Sequence, residues 1–206
     1  MNNIVGVEIK ELKTHRDERG FFRELIRFND PFFSLSNGKT LVKGEDSINP
    51  FAQWSHSKMI KDVVKAWHYH HKQIDWWYIS GGVVLAVLVD WREESPTYKK
   101  RIELLMGCGD SKFLAPPSLG TEIKNIESQI VREICVKIPP GVLHGLRVLS
   151  DSAEIMYITS EIYDPSEEGR LPFDSPEVGF DWGEGALVVD NDKRFFLPKS
   201  ERRLLY

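Results

Sequence analysis

The sequence predicts an all-β protein: a jelly-roll, double-stranded β-barrel with an N-terminal arm and a short C-terminal tail. Three observations predict it. An apolar stretch runs from Trp76 to Val89, broken only by Ser80-Gly81-Gly82. Its second half, Val83 to Val89, is a continuous apolar run of strand length, the signature of a strand buried on both faces. Histidines collect at the mouth of this stretch, in Lys65-Ala66-Trp67-His68-Tyr69-His70-His71. Another, His144, follows the turn Pro139-Pro140-Gly141 at the start of a second apolar segment. Two such units suggest a barrel with histidines projecting into its lumen. Strand alternation puts His68 and His70 on one side and His71 on the other. No long 3.6-residue periodicity and no fixed-period repeat competes with this reading.

The elements follow in order. Ile4 to Ile9 alternates as a short strand, and a polar connector runs to residue 16. Asp17-Glu18-Arg19-Gly20 is a turn, and Phe21-Phe22 starts a strand. Residues 29–50, rich in Pro, Gly and Asn, read as an irregular loop. Phe51 to Ser57 resumes as a strand, and Val63-Val64 leads into the histidine cluster. Trp91 to Thr97 is a polar turn. Residues 101–130, with breakers at Gly107-Cys108-Gly109-Asp110 and Pro116-Pro117, read as an inserted loop. Ile134 to Ile138 is a strand ending at the Pro-Pro-Gly turn. Leu146–Leu149 and Ile155–Ile158 read as a hairpin turned by Ser150-Asp151-Ser152. The tail from Tyr163 is rich in Pro, Gly and acidic residues and ends in a basic patch, Lys199 to Arg203.

The 206 residues suit one domain, 1–206, with a sizeable core. Hydrophobic residues make up 41% and charged residues 28%, ordinary for a globular protein. The net charge of −4 argues against a general nucleic-acid binder. A few local arginines can still hold an anionic small molecule. No apolar run is long enough to span a membrane. The N-terminus lacks a basic region followed by an apolar core. The two cysteines, Cys108 and Cys135, imply no disulfide framework. A reducing cytoplasm is therefore expected.

From Ile9 to Asp192 the chain resembles the dTDP-4-dehydrorhamnose 3,5-epimerases, cupin-type jelly rolls that act on nucleotide-linked 4-keto sugars. Asp17-Glu18-Arg19-Gly20-Phe21-Phe22-Arg23-Glu24 is similar to that family's nucleotide-binding segment. Gln53 stands fifteen residues before His68, as the family glutamine stands before its catalytic histidine. Glu94-Ser95-Pro96-Thr97 follows the barrel strand, and Ile138 to Gly145 matches the second histidine turn. Tyr157 stands thirteen residues after His144, at the spacing of the family's catalytic tyrosine. Tyr163-Asp164-Pro165 also fits.

The resemblance implies an isomerase with no cofactor. The protons at C3 and C5 of a 4-keto sugar lie α to the carbonyl. Inversion there needs a base, a cation or donor at the ketone oxygen, and an acid on the opposite ring face. His68 is the implied base. Asp192, with Asp190 as runner-up, holds its tautomer. Tyr157 is the acid. Arg19, Phe21, Glu24, Gln53 and His144 are expected to bind the substrate, a nucleoside-diphosphate sugar, most simply a dTDP-sugar. Arg19 suits a diphosphate because its planar fork binds phosphate oxygens in pairs. A homodimer that buries the N-terminal arm is also implied. Four positions depart from the family. Lys65 stands for an arginine and Ala66 for a glycine. The lysine that helps hold the ketone oxygen aligns with Ile74 or, with a gap shift, Lys72. An aromatic that covers the base aligns with Ile162. Lys65 and Lys72 are the candidate cations for the enolate.

Two other function classes compete. His68-x-His70, Asp75, Gly82 and Pro139-x-Gly141-x-x-His144 reproduce the two-part cupin metal pattern. His68, His70, Asp75 and His144 could then bind Fe, Mn or Ni. That reading gives no reason for Arg19 to Glu24, Gln53 or Tyr157, and the matching histidines of the epimerases work without metal. A non-catalytic sugar-nucleotide binder would lack the base or the acid, and both His68 and Tyr157 are present. Taken singly, Tyr157 reads as core, Asp192 as a surface acid and His71 as a bystander at the barrel mouth. The joint pattern of His68, His144, Tyr157 and Arg19 carries the functional reading, and it extends in part to Asp192 and Lys65.

Overall fold

Residues 3–27, 29–34, 51–108 and 131–198 are described by the structure, a computed structural model. Among them, twelve strands follow in chain order. They are β1 (Glu8–Glu11), β2 (Thr14–Asp17), β3 (Gly20–Arg23), β4 (Gln53–Ile60), β5 (Val64–His70) and β6 (Asp75–Gly81). Then come β7 (Val83–Asp90), β8 (Arg101–Gly107), β9 (Ile134–Ile138), β10 (Val142–Val148), β11 (Ser152–Thr159) and β12 (Glu168–Arg170). Two five-stranded antiparallel sheets form, ordered β1-β9-β6-β11-β4 and β12-β5-β10-β7-β8, and β2 pairs with β3 as a separate hairpin. This is the predicted jelly roll with its N-terminal arm.

The alternation of each strand decides where the core lies. Ile79, Val136 and Ile155 of the first sheet pack against Val84, Ala86, Leu88 and Leu146 of the second, between the sheets. Val83, Leu85, Val87 and Val89 point the other way, into a cluster with Trp67, Tyr69, Phe180 and Trp182. Every residue of β7 is therefore buried, as its continuous apolar run predicts. Burying each such side chain contributes about 1.5–3 kcal/mol. On the outer face of the first sheet, Trp76, Tyr78 and Ile158 pack with Phe32 and Phe33.

Several expectations are corrected. The first strand is Glu8–Glu11, not Ile4–Ile9. Ile4 is buried before it, and the Val7 amide closes a turn by donating to the Ile4 carbonyl. The polar connector contains β2, because it has β3 to pair with. The strand expected at Phe51–Ser57 spans Gln53–Ile60. The start of the expected 101–130 loop is β8, paired along β7 over its whole length. Residues 109–130 lie outside the described residues, as do 35–50 and the basic patch at 199–203.

The expected hairpin of Leu146–Leu149 with Ile155–Ile158 does not form. β10 pairs with β5 and β7, and β11 pairs with β4 and β6, so the two belong to opposite sheets. Ser150 fixes the corner between them. Its Oγ accepts from the Val83 amide at 2.8 Å and donates to the Ser152 carbonyl at 2.6 Å. Two apolar runs around a short polar link read the same way whether the chain turns back or crosses over.

Candidate active site

A cavity of about 310 Å³ opens between the sheets. The second sheet contributes Lys65, His68 and His70 from β5, His144 from β10, and Glu168 and Arg170 from β12. The first contributes Gln53 from β4, Asp75 and Trp77 from β6, and Tyr157 from β11. On β5 the alternation sends Trp67 and Tyr69 into the core and leaves His68 and His70 facing the cavity. His144 sits directly opposite His68 in the β5–β10 ladder. The turn that delivers it needs Gly141, whose φ of 75° lies in the left-handed region.

His68 is held from both ends. Its Nε2 donates to Asp192 Oδ1 at 2.8 Å, and Nδ1 lies 2.9 Å from Glu168 Oε1. Arg170 ties the two acids together, donating to Asp192 Oδ1 at 2.8 Å and to Glu168 Oε2 at 2.9 Å. Burial works against a charged imidazole. The hydrogen bonds and charges of Asp192 and Glu168 outweigh it, so His68 is protonated more readily than a free histidine. Burial also opposes ionisation of Glu168. The hydrogen bond and charge of His68, with the charge of Arg170, nevertheless hold its carboxyl far below the usual range. Gly169 makes this approach possible: a Cβ there would lie 2.2 Å from the Tyr69 ring.

The sequence profile of the dTDP-4-dehydrorhamnose 3,5-epimerase family matches residues 1–121 and 124–198. The chain belongs to this family. It is 34% identical over 182 residues to the spore coat polysaccharide biosynthesis protein SpsL of Bacillus subtilis, covering 87% of this chain and 96% of that one. It is 29% identical over 205 residues to the dTDP-4-dehydrorhamnose 3,5-epimerase of Salmonella typhimurium, covering 98% and 94%. Among solved structures, the 3,5-epimerase of Legionella pneumophila in complex with dTDP-4-keto-L-rhamnose superimposes with a TM-score of 0.66. The identity is 25%, over 93% of this chain and 87% of that one. The sugar epimerase NovW of Streptomyces spheroides, at 24% identity, shares the fold with a TM-score of 0.71 over 98% and 87%. The protein is thus an isomerase of the epimerase family, and these relatives lend no support to a metal-dependent enzyme of another class.

Within this epimerase, Lys65 reaches the cavity and donates to Ser57 Oγ at 3.0 Å. Burial lowers its pKa, opposed by the charge of Asp192. Gln53 donates to Ser55 Oγ at 2.9 Å and accepts from the Tyr163 amide at 3.0 Å. His144 donates Nδ1–H to the Val142 carbonyl at 3.1 Å, which turns Nε2 toward the cavity. Burial, with the charges of His70 and His68, pushes its pKa down to about 4. His144 is therefore a neutral imidazole at pH 7. Lys72 is not brought into the cavity: it stands exposed in the turn after β5. Ile74 is buried in the outer cluster of the first sheet, so neither aligned position supplies a cation there. Ile162 is 74% exposed and does not cover His68.

His70, Asp75 and His144 have ligand atoms within 4.8 Å of one another and could share a metal ion. Asp75 Oδ2 is 3.8 Å from His70 Nε2 and 3.9 Å from His144 Nε2, wider than a closed coordination shell. The four-residue ligand set expected from the pattern does not assemble, because both nitrogens of His68 are taken by carboxylates. Asp75 in turn accepts from Gln73 Nε2 at 2.6 Å and Trp77 Nε1 at 3.3 Å.

The expected nucleotide-binding segment stands apart from the cavity of its own chain. Arg19 at the tip of the β2–β3 hairpin is largely exposed and pairs with Asp17 at 2.5 Å. Phe21 is half exposed, with the Arg16 and Arg23 guanidiniums 5.7 and 4.9 Å from its ring. Glu24 pairs with Arg27 at 2.6 Å. The hairpin is anchored by Arg23, whose buried guanidinium meets Glu133 at 2.6 Å and donates to the Tyr78 hydroxyl at 2.8 Å. Reading the sequence missed Glu168 and Arg170. Their spacing around Gly169 was the available signal, because residues two apart share a strand face.

Proposed function

We propose that the protein epimerises a nucleoside-diphosphate 4-keto-6-deoxy sugar at C3, C5 or both, without metal or other cofactor. The observation that carries this reading is that His68 and Tyr157 line one cavity from opposite sheets. A sugar ring between them presents one face to each. His68 Nδ1 takes the proton α to the ketone, while Asp192 holds Nε2. The negative charge moves to the ketone oxygen, where the Lys65 ammonium is the candidate partner. Tyr157 returns a proton on the other face. A phenol hydroxyl carries a proton that it can donate. A binder without catalysis has no use for this opposed pair.

The nucleotide is read as dTDP, since the Salmonella and Legionella relatives are dTDP-sugar epimerases. Gln53 and His144 face the sugar end from the cavity wall. Arg19, Phe21 and Glu24 are read as reaching the cavity of a second copy in a homodimer, which the exposed, firmly anchored hairpin supports. The cytoplasm, where nucleotide sugars are made, is the expected compartment. Among the described residues no helix is long and apolar enough to cross a membrane.

The test is incubation in deuterated water with a panel of nucleoside-diphosphate 4-keto-6-deoxy sugars, read by mass spectrometry and NMR. Deuterium is expected at C3, C5 or both, with inversion at the same carbon. No exchange with any of the panel would leave the binder as the better reading.

A further inference from the structure

A base needs an unshared electron pair that faces its substrate. In the resting site His68 has none to offer. Nε2 meets Asp192 Oδ1 at 2.8 Å, and Nδ1 meets Glu168 Oε1 at 2.9 Å. The two acids are not equivalent. The Asp192 side chain is 2% exposed and takes no part in the cavity wall, whereas Glu168 lines it. Nδ1 is thus the nitrogen on the substrate side, and Glu168 covers it. The second oxygen of Glu168 accepts from Arg170 at 2.9 Å and lies 3.5 Å from the Tyr163 hydroxyl. Arg170 and Tyr163 both line the cavity as well. Glu168 can therefore release His68 and keep its hold on Arg170.

We infer that Glu168 is a latch on the base: it occupies Nδ1 of His68 in the resting enzyme and is lifted off when the sugar enters. The inference rests on the epimerase reading. As the latch lifts, the Nδ1–H bond breaks, the proton passes to cavity water and the electron pair stays on nitrogen. Nε2–H remains with Asp192. The freed pair then accepts the α proton of the sugar. Glu168 is a positioning residue in this scheme, and Arg170 is its resting place. The bond that the sugar must break is a charge-assisted hydrogen bond, the stronger kind. Part of the sugar's binding free energy is used to break it, so the latch raises KM.

The test uses the full-length protein labelled with ¹⁵N-histidine. Without ligand, His68 is expected to show two hydrogen-bonded ring N–H protons at low field, one for each carboxylate. Saturation with a dTDP-hexose that lacks the ketone should remove the Nδ1 signal and keep the Nε2 signal. In Glu168→Gln the latch bond loses its charge. KM for the 4-keto sugar should then fall by roughly tenfold, with kcat within a few-fold of the parent. A single ring N–H in the free wild type, or two that persist with ligand, would overturn the latch. So would a collapse of kcat in Glu168→Gln, which would make Glu168 a proton carrier, or a rise in KM, which would make it structural. The wild-type spectra decide the matter even if the variant does not fold. If no 4-keto sugar is turned over, the epimerase reading fails, yet the spectra still report separately on the latch.

Discussion

Asp192 accepts a hydrogen bond from Nε2 of His68 at 2.8 Å, across 124 residues of sequence. In the proposed mechanism this bond fixes which nitrogen of the ring turns toward the sugar. In Asp192→Asn the amide can bond to either state of Nε2, so the ring's tautomer is no longer specified. A loss of kcat of roughly 10²-fold or more is expected, with KM changed much less. Steady-state kinetics on the folded variant check it. Parental kcat would reduce Asp192 to a packing residue.

In the proposed mechanism His68 and Tyr157 divide the proton traffic between the ring faces. His68→Asn is expected to abolish both deuterium exchange and product formation. Tyr157→Phe should still exchange, because the base can return a solvent-derived proton to the face it came from, but most inversion should be lost. Each loss is expected at about 10²–10⁴-fold. Inversion at the parental rate in Tyr157→Phe would make Tyr157 only a wall of the barrel. Exchange in His68→Asn would send the search for a base to His70 or His144.

The arm offers a complementation experiment. If Arg19 serves the neighbouring copy, Arg19→Ala and His68→Asn should each be nearly inactive alone. Mixed and refolded together, they should regain activity, since one site of a mixed dimer pairs an intact arm with an intact base. Sedimentation should report a dimer. No recovery from a demonstrated mixed dimer would place Arg19 outside the site.

Metal removal separates two roles for His70, Asp75 and His144. Exhaustive chelation is expected to leave epimerisation unchanged, and elemental analysis of the purified protein should find no stoichiometric metal. One tightly held ion per chain, lost along with activity in His70→Ala, would instead make these three residues a metal centre.

Asp90 supplies a pH prediction remote from the site. Its carboxylate is fully buried at the end of β7. Burial would raise its pKa, but bonds from Arg92, Ser95 and Thr97 bring it down to about 2. A depressed folded-state pKa stabilises the fold at pH values above the unfolded value near 3.9, and that stabilisation is lost as pH falls towards 2. It amounts to roughly 2 kcal/mol. Asp90→Asn should lower stability at pH 7 by a comparable amount and flatten its decline between pH 4 and 2. Denaturant titrations at both ends measure this.

The parts of the site that lie on strongly patterned strands were legible in the sequence. The apolar run of β7 announced a strand buried on both faces. Alternation put His68 and His70 on one side, and Gln53, His144 and Tyr157 kept the family spacing. Other parts could not be read. Glu168 and Arg170 sit in a three-residue strand, where a single alternation around Gly169 is too little to mark a strand, and their approach depends on the missing side chain of Gly169. Lys72 looked like a cation for the ketone because charge shows in a sequence and direction does not. Leu146–Leu149 and Ile155–Ile158 misled because strand pattern does not say which sheet a strand joins. Arg19 was read as a ligand to the nucleotide, and within one chain the hairpin fold leaves it paired with Asp17 outside the cavity.

β12 and the 3₁₀ turn that carries Asp192 have a consequence for how the enzyme comes into being. Synthesis runs from the N-terminus, so His68 is made long before Glu168, Arg170 and Asp192. The strands of both large sheets other than β12 are complete by Thr159. Until the later portion emerges, the histidine has neither acid to sit beside it. Only when the last portion lays itself over β5 does the ring acquire a fixed orientation. Catalytic competence thus waits for a late portion of the chain, and a chain cut short after β11 lacks both acids of the site together with Phe180 and Trp182, which pack against Trp67 in the core.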